Sequence, residues 1–435
     1  MNALQALSAA TRSTDRCSAG AQALAECQPS YGAASYSAVS TSTTTGRGRR
    51  RAAGPPSTTP AAALPAAPAG GAADATEDDA HARDRHGLPP ARAGICPLPS
   101  PTVLARGGRL ERPEIAWELC GRDGAPVVVV LGGISAHRHV TATRSATGAG
   151  WWSELVGPGI AIDTRRLRVL SFDYLGGNGR STGPRCHPQR PFPTVTTDDQ
   201  ADVLAHLLDH LEIARLGAIV GASYGGMVAL AFAARHPRRL GRLVAISAAD
   251  RSHPQATALR SVQRGIARLG LARGASEEGL ALARALAMVT YRSPAELEQR
   301  FDGPPSWDEG SSTPRFPVEG YLQARGERFA AGFDPHAFLC LSESLDLHRV
   351  DPRAIATPTT LVSVRSDQLV PPAQISGLAR RLAGPCRLIE IDSIYGHDAF
   401  LKEVETVSRL LHRSLIDLGT DDCSASELIS KEVGR

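Results

Sequence analysis

The chain has 435 residues, of which 48 are basic and 44 acidic, so the formal net charge of +4 is small. Nearly all the basic residues are arginines scattered among acids, without the basic stripe and interleaved aromatic residues of a nucleic-acid-binding surface. Hydrophobic residues make up 42%, which indicates a protein with a folded core. Eight cysteines show neither a CxxC pair nor metal-ligand spacing, so we expect reduced thiols, no metal site and a cytoplasmic location.

Residues 1–95 differ in composition from the rest of the chain. They contain long stretches of Ala, Ser, Thr, Pro and Gly, such as "STSTTTGRGRRRAAGPPSTTPAAALPAAPAGGAADA", with few large apolar side chains. Such a segment cannot bury enough surface to offset the entropy lost on ordering, so we predict a disordered tail. It lacks the apolar core of a secretory signal. An organelle transit peptide, a start codon placed too far upstream and a genuine disordered segment all stay open.

Regular patterns then predict one catalytic domain over residues 96–435. Apolar and β-branched runs predict strands at 114–121, 125–134, 166–177, 215–220, 242–247, 358–364 and 386–392. Residues 194–213 begin with Thr and Asp and carry apolar residues at helical spacing, and a last helix follows residue 397. Continuous apolar strands that alternate with helices predict a mostly parallel sheet flanked by helices. Residues 250–345 interrupt this alternation and predict a helical cap over the carboxyl ends of the strands.

The segment "GASYGGMVALAFAARHP", residues 221–237, is apolar enough to suggest a membrane span. A span needs about 20 uninterrupted apolar residues, whereas here glycines and a serine come first and Pro237 ends the run. A strand, a tight turn and a helix explain every residue, and G-x-S-x-G on such a turn is the pattern of a nucleophile elbow. The turn places Ser223 at a helix N-terminus, which stabilises nearby negative charge.

A serine hydroxyl becomes a nucleophile when a base takes its proton and a carboxylate orients that base. On a fold of this kind the expected chain order is serine, acid, histidine, with the acid and the histidine after late strands. Asp367 in "LVSVRSDQLVPP" and His397 in "IDSIYGHDAF" occupy those places. Asp392 lies too close to His397 in the chain, and His236 and His253 come too early.

The oxyanion of an acyl-transfer intermediate needs two backbone N–H donors. One donor is expected from Tyr224, the residue after the nucleophile. The other is expected from the glycine loop "LGGIS" after an early strand, where we assign Ile134.

Several segments together resemble the homoserine O-acyltransferases of the α/β-hydrolase fold. They are "GWWSELVGPGIAIDTRRLRVLSFDYLGGNGRSTGP" (150–184), "GASYGGM" (221–227), "MVTYRSPAELEQRF" (288–301), "VEGYLQARGERFAAGFDPHAFLCLSESLDLH" (318–348) and "YGHDAFL" (395–401). The resemblance implies an α/β-hydrolase fold with a helical cap insertion and acyl transfer from acetyl-CoA or succinyl-CoA to L-homoserine, for methionine synthesis. It also implies acyl-CoA as co-substrate without a further cofactor, small-molecule partners and a homodimer.

The resemblance assigns roles residue by residue. Ser223, Asp367 and His397 match the family's triad. Arg292 in "TYRS" matches the residue that meets the substrate amino acid, and Asp398 matches its other polar contact. The chemistry agrees, because an Arg fork pairs bidentately with an α-carboxylate and a carboxylate can hold an α-ammonium.

The sequence differs from the acetylating members of that family at positions that bear on which acyl donor is used. The elbow carries Ala222 and Tyr224 instead of an acidic residue and Met, and the glycine loop reads "GGISAHRHV". These features resemble the succinyl-transferring branch, with Arg138 as a candidate partner of a succinyl carboxylate. Serine as the acceptor, an esterase or thioesterase with the same triad, and a non-catalytic binding protein stay open as alternatives.

Overall fold

The computed structural model describes residues 87–418, with gaps at 186, 188–190 and 308–309. Most of the predicted tail therefore lies outside the described residues. Residues 91–97 form a strand that pairs antiparallel with residues 114–120, so the predicted boundary at residue 95 falls inside the sheet and is wrong. Two residues explain this strand: Cys96 is buried, and Gly94 lies so close to Trp117 that a Cβ would come within 2.9 Å of the indole.

The main sheet of the described chain has eight strands. They are β1 (Ala91–Pro97), β2 (Glu114–Gly121), β3 (Val127–Leu131), β4 (Arg168–Phe172), β5 (Ala218–Ala222), β6 (Leu243–Ile246), β7 (Thr359–Val364) and β8 (Cys386–Ile391). Their order is β1-β2-β4-β3-β5-β6-β7-β8. The other six strands, β3 to β8, are mutually parallel, whereas β1 and β2 run antiparallel to their neighbours. The predicted mostly parallel sheet is confirmed.

Among the residues that the structure describes, shorter strands form three pairs outside this sheet. They join Thr102–Val103 to Arg109–Leu110, Val156–Gly157 to Ile162–Asp163, and Ser306–Trp307 to Pro314–Arg315.

Helices cover both faces of the main sheet. They are α1 (Thr197–His210), α2 (Tyr224–Arg235), α3 (Pro254–Ala272), α4 (Ser276–Tyr291), α5 (Pro294–Phe301), α6 (Pro317–Gly332), α7 (Pro335–Leu347), α8 (Pro372–Ala379), α9 (Ala399–Lys402) and α10 (Val404–Leu415). Val127 and Val129 pack in one core cluster with residues of α1, α2 and α8, while Val128 and Val130 pack in a second cluster with α10. This double burial explains why the strands are continuous apolar runs.

The five helices from α3 to α7 lie between β6 and β7 and correspond to the expected cap. The chain enters and leaves this insertion at one place, where Arg251 and Arg349 form an isolated antiparallel bridge. Nearby, the Val350 amide donates to the Asp250 carbonyl at 2.8 Å. The insertion therefore begins and ends beside the carboxyl ends of the parallel strands.

The segment that resembles a membrane span contributes the last two residues of β5, Gly221 and Ala222, and all of α2. Within the residues described, no helix has both the length and the apolar character needed to cross a bilayer.

Candidate active site

The turn between β5 and α2 carries Ser223 in a left-handed conformation, with φ 54° and ψ −121°. Two close backbone approaches make this turn depend on glycine. A Cβ on Gly221 would lie 2.3 Å from the Gly225 carbonyl oxygen, and a Cβ on Gly225 would lie 2.3 Å from the Leu131 carbonyl oxygen. The G-x-S-x-G spacing therefore follows from the tight packing of β5, the turn and the end of β3.

The structure brings Ser223, His397 and Asp367 into one hydrogen-bonded line. Nε2 of His397 lies 2.8 Å from Oγ of Ser223, and its Nδ1 lies 2.7 Å from Oδ2 of Asp367. The other carboxylate oxygen of Asp367 accepts from the backbone amides of Leu369 and Val370, at 2.9 and 3.0 Å. The side chains of His397 and Asp367 are buried. This arrangement can move a proton from the hydroxyl to an oriented imidazole.

The charges around His397 favour its protonated form. Burial lowers the pKa of the imidazole, but the charge and hydrogen bond of Asp367 and the charge of Asp398 outweigh burial and raise the pKa above its usual value. Arg260 acts weakly in the opposite direction. A proton taken from Ser223 is therefore stabilised on the ring at the moment when the serine attacks.

The glycine loop that follows β3 is fastened to the elbow. The carbonyl oxygen of Gly132 accepts from the Gly225 amide at 2.9 Å and from the Tyr174 hydroxyl at 2.7 Å. These contacts place the loop that carries Ile134 beside the turn that carries Tyr224, the two residues predicted to supply oxyanion donors. Because Gly225 already donates to Gly132, its amide is occupied.

The structure also brings together Arg292 and Asp398, the two predicted substrate contacts. Their Nη1 and Oδ2 atoms are 3.1 Å apart, while Nε of Arg292 donates to the Tyr321 hydroxyl at 3.0 Å. Only 2% of the Arg292 side chain is exposed. Burial lowers the pKa of its guanidinium, but Asp398, Tyr321 and Glu296 outweigh burial and raise it. Arg292 is thus a buried cation paired with Asp398, the residue that follows His397 in the sequence.

Sequence reasoning missed Glu296, which is 1% exposed and lies between two arginines. Its Oε1 is 3.1 Å from Nη1 of Arg300, and its Oε2 is 3.6 Å from Nη1 of Arg292. The spacing Arg-x-x-x-Glu-x-x-x-Arg contains this information, because residues four apart are neighbours on a helix. Tyr321 carries no such pattern, since only the packing of α6 on the preceding segment brings it to Arg292.

Arg138, suggested as a partner of a succinyl carboxylate, already has a carboxylate partner. Its Nη1 lies 2.6 Å from Oδ2 of Asp173, and its backbone amide donates to Oδ1 of the same residue at 2.8 Å. Asp173 also accepts from the Arg180 amide at 2.8 Å. The suggestion for Arg138 is therefore not supported, because its charge is used to hold the glycine loop.

The cysteines and the acidic side chains do not form a further centre in the described part of the chain. Cys96, Cys120, Cys340 and Cys386 are free thiols, and burial raises the pKa of Cys120 and Cys340 to about 12. Across residues 87–418, apart from the gaps, no group of three or more His, Cys, Asp or Glu side chains could hold a metal ion. The other four cysteines lie outside the described residues.

The fold and the serine–histidine–aspartate line define the class of protein. Residues 126–404 match the family model described as the alpha/beta hydrolase fold, and the chain belongs to that class. A homoserine O-succinyltransferase of Xanthomonas campestris pv. campestris is 45% identical over 306 residues, which cover 70% of this chain and 80% of the relative.

One further sequence relative indicates the family, and one solved structure supports the fold. An L-serine/homoserine O-acetyltransferase of Streptomyces lavendulae is 34% identical over 362 residues, covering 74% of this chain and 96% of the relative. The solved homoserine O-acetyltransferase of Bacillus anthracis superposes with a TM-score of 0.68 at 20% identity, covering 76% of this chain and 99% of that one, and supports the fold. The chain belongs to the serine and homoserine O-acyltransferase family, and it is therefore an enzyme.

Proposed function

We propose that the protein transfers an acyl group, preferably succinyl, from acyl-CoA to the hydroxyl of L-homoserine in methionine biosynthesis. The contacts of 2.8 and 2.7 Å that link Ser223, His397 and Asp367 carry the proposal, because they supply the base and the orientation that acyl transfer needs. The acceptor is inferred from the five resembling segments and from the related transferases. Succinyl is preferred because the succinyl-transferring relative is 45% identical, against 34% for the acetylating one.

The first half of the proposed reaction forms an acyl-enzyme. His397 accepts the hydroxyl proton of Ser223 while Oγ attacks the thioester carbonyl. The amides of Tyr224 and Ile134 hold the resulting oxyanion. The C–S bond then breaks, and the CoA thiolate leaves with the proton held by His397.

The second half passes the acyl group to the amino acid. Arg292 pairs with the α-carboxylate and Asp398 with the α-ammonium of homoserine. His397 takes the proton of the acceptor hydroxyl, whose oxygen attacks the ester, and Ser223 leaves with that proton. Water competes at the same carbon, so the cap must exclude it during this step.

Mass spectrometry of the intact protein tests this scheme. Incubation with succinyl-CoA should add one succinyl group, acetyl-CoA should react less, and later addition of homoserine should remove the adduct as O-acylhomoserine. Ser223→Ala should show no adduct and at least a 10³-fold loss of turnover. Near-normal turnover of that variant would overturn the mechanism.

Serine is the second candidate acceptor, because the Streptomyces lavendulae relative is named for both amino acids. One methylene group is worth only about 1–3 kcal/mol of discrimination, so the two amino acids must be compared directly as acceptors of the same acyl-enzyme.

The variant Arg292→Gln distinguishes an acyltransferase from an esterase or thioesterase on the same scaffold. That variant should still cleave the thioester but lose transfer if an amino acid is the acceptor.

We further propose a homodimer in the cytoplasm. Exposed apolar side chains on α3 and α4 support an association through the cap: Val262, Leu269, Leu282 and Val289. The free thiols of the described cysteines support a reducing compartment. Light scattering at micromolar concentration measures the mass of the particle, and a monomer would contradict the first proposal.

A further inference from the structure

A compact set of charged side chains joins the start of α5, in the cap, to Asp398, the residue after His397. It consists of Arg292, Glu296, Arg300 and Asp398, with the Tyr321 hydroxyl as a neutral member. The mechanism above uses Arg292 and Asp398 and leaves the buried Glu296 without a role.

The backbone around Glu296 is tied to the loop that carries the catalytic histidine. Ser293 caps α5 by accepting from the Glu296 amide at 3.1 Å, and the Ser293 hydroxyl donates to the carbonyl of Ile394. Gly396 lies so close to the cap segment that a Cβ would be 2.7 Å from the Tyr291 carbonyl oxygen. The position of Glu296 is therefore fixed relative to His397.

Two buried atoms in this set have hydrogen-bonding capacity that protein atoms do not fill. Nη1 of Arg292 lies at ion-pair distance from both Asp398 and Glu296, yet neither contact is aligned as a hydrogen bond. Oε2 of Glu296 likewise has no hydrogen-bond donor. Buried polar groups are almost always paired, and an unfilled donor on a buried guanidinium is what a carboxylate ligand would complete.

An amino acid that binds between Arg292 and Asp398 exchanges their ion pair for two new ones. Its carboxylate takes the place of Asp398 on the guanidinium, and its ammonium takes the place of Arg292 on the carboxylate. During this exchange a second anion is needed to keep Arg292 in place and to offset its buried charge. Glu296 is that anion, and the Tyr321 hydroxyl accepts from Nε of the same guanidinium.

We infer that Glu296, assisted by Tyr321, is a positioning residue that keeps Arg292 directed toward the carboxylate of the acceptor. The inference rests on the proposed function and deepens it. Without the charge of Glu296, Asp398 becomes the main partner of Arg292, and the incoming amino acid must break a tighter pair. Glu296 thus acts on acceptor binding and leaves acylation of Ser223 by the thioester unaffected.

Steady-state and burst kinetics of Glu296→Gln test this inference with succinyl-CoA and homoserine. We expect the KM for homoserine to rise roughly 10- to 100-fold, since one charged contact is weakened, while the burst of CoA release stays at the wild-type rate. Preference for homoserine over 3-amino-1-propanol, which lacks the carboxylate, should shrink by the same factor. Glu298→Gln is the matched control, because Glu298 is an exposed carboxylate on the same helix.

Tyr321→Phe is the second variant, and it keeps the ring while removing the hydroxyl that accepts from Arg292. It should raise the KM for homoserine in the same direction without changing the burst. Equal losses in the burst and in transfer would show a merely structural role and overturn the inference. An unchanged KM in both variants would overturn it as well, whereas a wild-type protein that fails to acylate homoserine would overturn the proposed function and the inference together.

Discussion

Ser223 combines the proposed nucleophile with an unfavourable backbone conformation. A sparsely populated backbone conformation costs a residue with a Cβ about 1–3 kcal/mol, and Ser223 has a φ of 54° with a ψ of −121°. Its amide donates to the Ile246 carbonyl at 2.9 Å. Gly221 and Gly225 avoid the steric clashes that a Cβ would make in this turn. The turn therefore stores strain where it presents the hydroxyl to His397, as expected at a functional site.

A comparison of Ser223→Gly with Ser223→Ala isolates this strain. Both variants lack the hydroxyl, but only glycine tolerates a positive φ without cost. The greater conformational freedom of glycine in the unfolded chain offsets part of this relief of strain. We therefore expect Ser223→Gly to be more stable than Ser223→Ala by about 0.5–1 kcal/mol. Urea denaturation at fixed pH measures the difference, and a less stable glycine variant would show that the turn is unstrained.

At the scale of elements, structural features that depend on residues close together in the chain can be predicted from the sequence. The turn with Ser223, and the positions of Asp367 and His397 after late strands, could be predicted because strand, turn and helix follow from local composition. The pairing of Arg292 with Asp398 could not, because it depends on how the cap segment lies against the loop of Gly396. Strand β1 was missed because its first five residues, "ARAGI", contain one large apolar side chain and resemble the preceding tail.

The contrast between two glycines tests whether the elbow is sterically required. In Gly221→Ala the new methyl group would meet backbone atoms of Gly225 at 2.3 and 2.5 Å, so β5 and α2 must separate. We expect a loss of about 3 kcal/mol or more in the free energy of unfolding. Gly265→Ala is the matched control. Gly265 lies in α3 with open space around its Cβ position, and alanine there should stabilise the protein by about 0.5–1 kcal/mol.

On the scale of the whole molecule, the cap is fixed to the core by polar contacts that bridge distant parts of the sequence. Asn178, in the loop after β4, donates to the Gly332 carbonyl at 2.8 Å and accepts from the Asp334 amide at 2.7 Å. At the carboxyl end of the insertion, His348 follows α7 and contacts the core. Such contacts could not be predicted from the sequence, because each needs the relative placement of cap and sheet.

His348 gives this connection a dependence on pH. The ring is buried, with Nε2 3.0 Å from the Ala249 carbonyl oxygen and Nδ1 2.7 Å from the Thr197 hydroxyl. A carbonyl can only accept, so Nε2 carries the proton and Nδ1 accepts from the hydroxyl. Burial lowers the pKa of His348 from 6.5 to about 4, although the Ala249 carbonyl and Asp250 act in the other direction. The contact is therefore made by a neutral ring.

The sign of the resulting stability change follows from proton binding. Below pH 6.5 the unfolded chain binds a proton on His348 that the folded chain does not bind until about pH 4. The stability contributed by the neutral His348 ring is fully present above pH 6.5 and is lost as the pH falls toward 4. Between pH 7.5 and pH 5 this loss amounts to about 2 kcal/mol in the free energy of unfolding. His397, with a raised pKa, acts in the opposite direction. The measured quantity must therefore be the difference between the wild-type protein and a variant.

Urea denaturation of the wild-type protein and of His348→Gln at pH 7.5 and pH 5 provides that difference. The substitution leaves the other titrating groups in place, so their contributions cancel. We expect the wild-type protein to lose about 2 kcal/mol more than the variant on acidification. His412→Gln is the matched control, because His412 is exposed on α10 and its replacement should leave the wild-type dependence intact. Equal losses in the wild-type protein and in His348→Gln would mean that folding does not shift the pKa of His348.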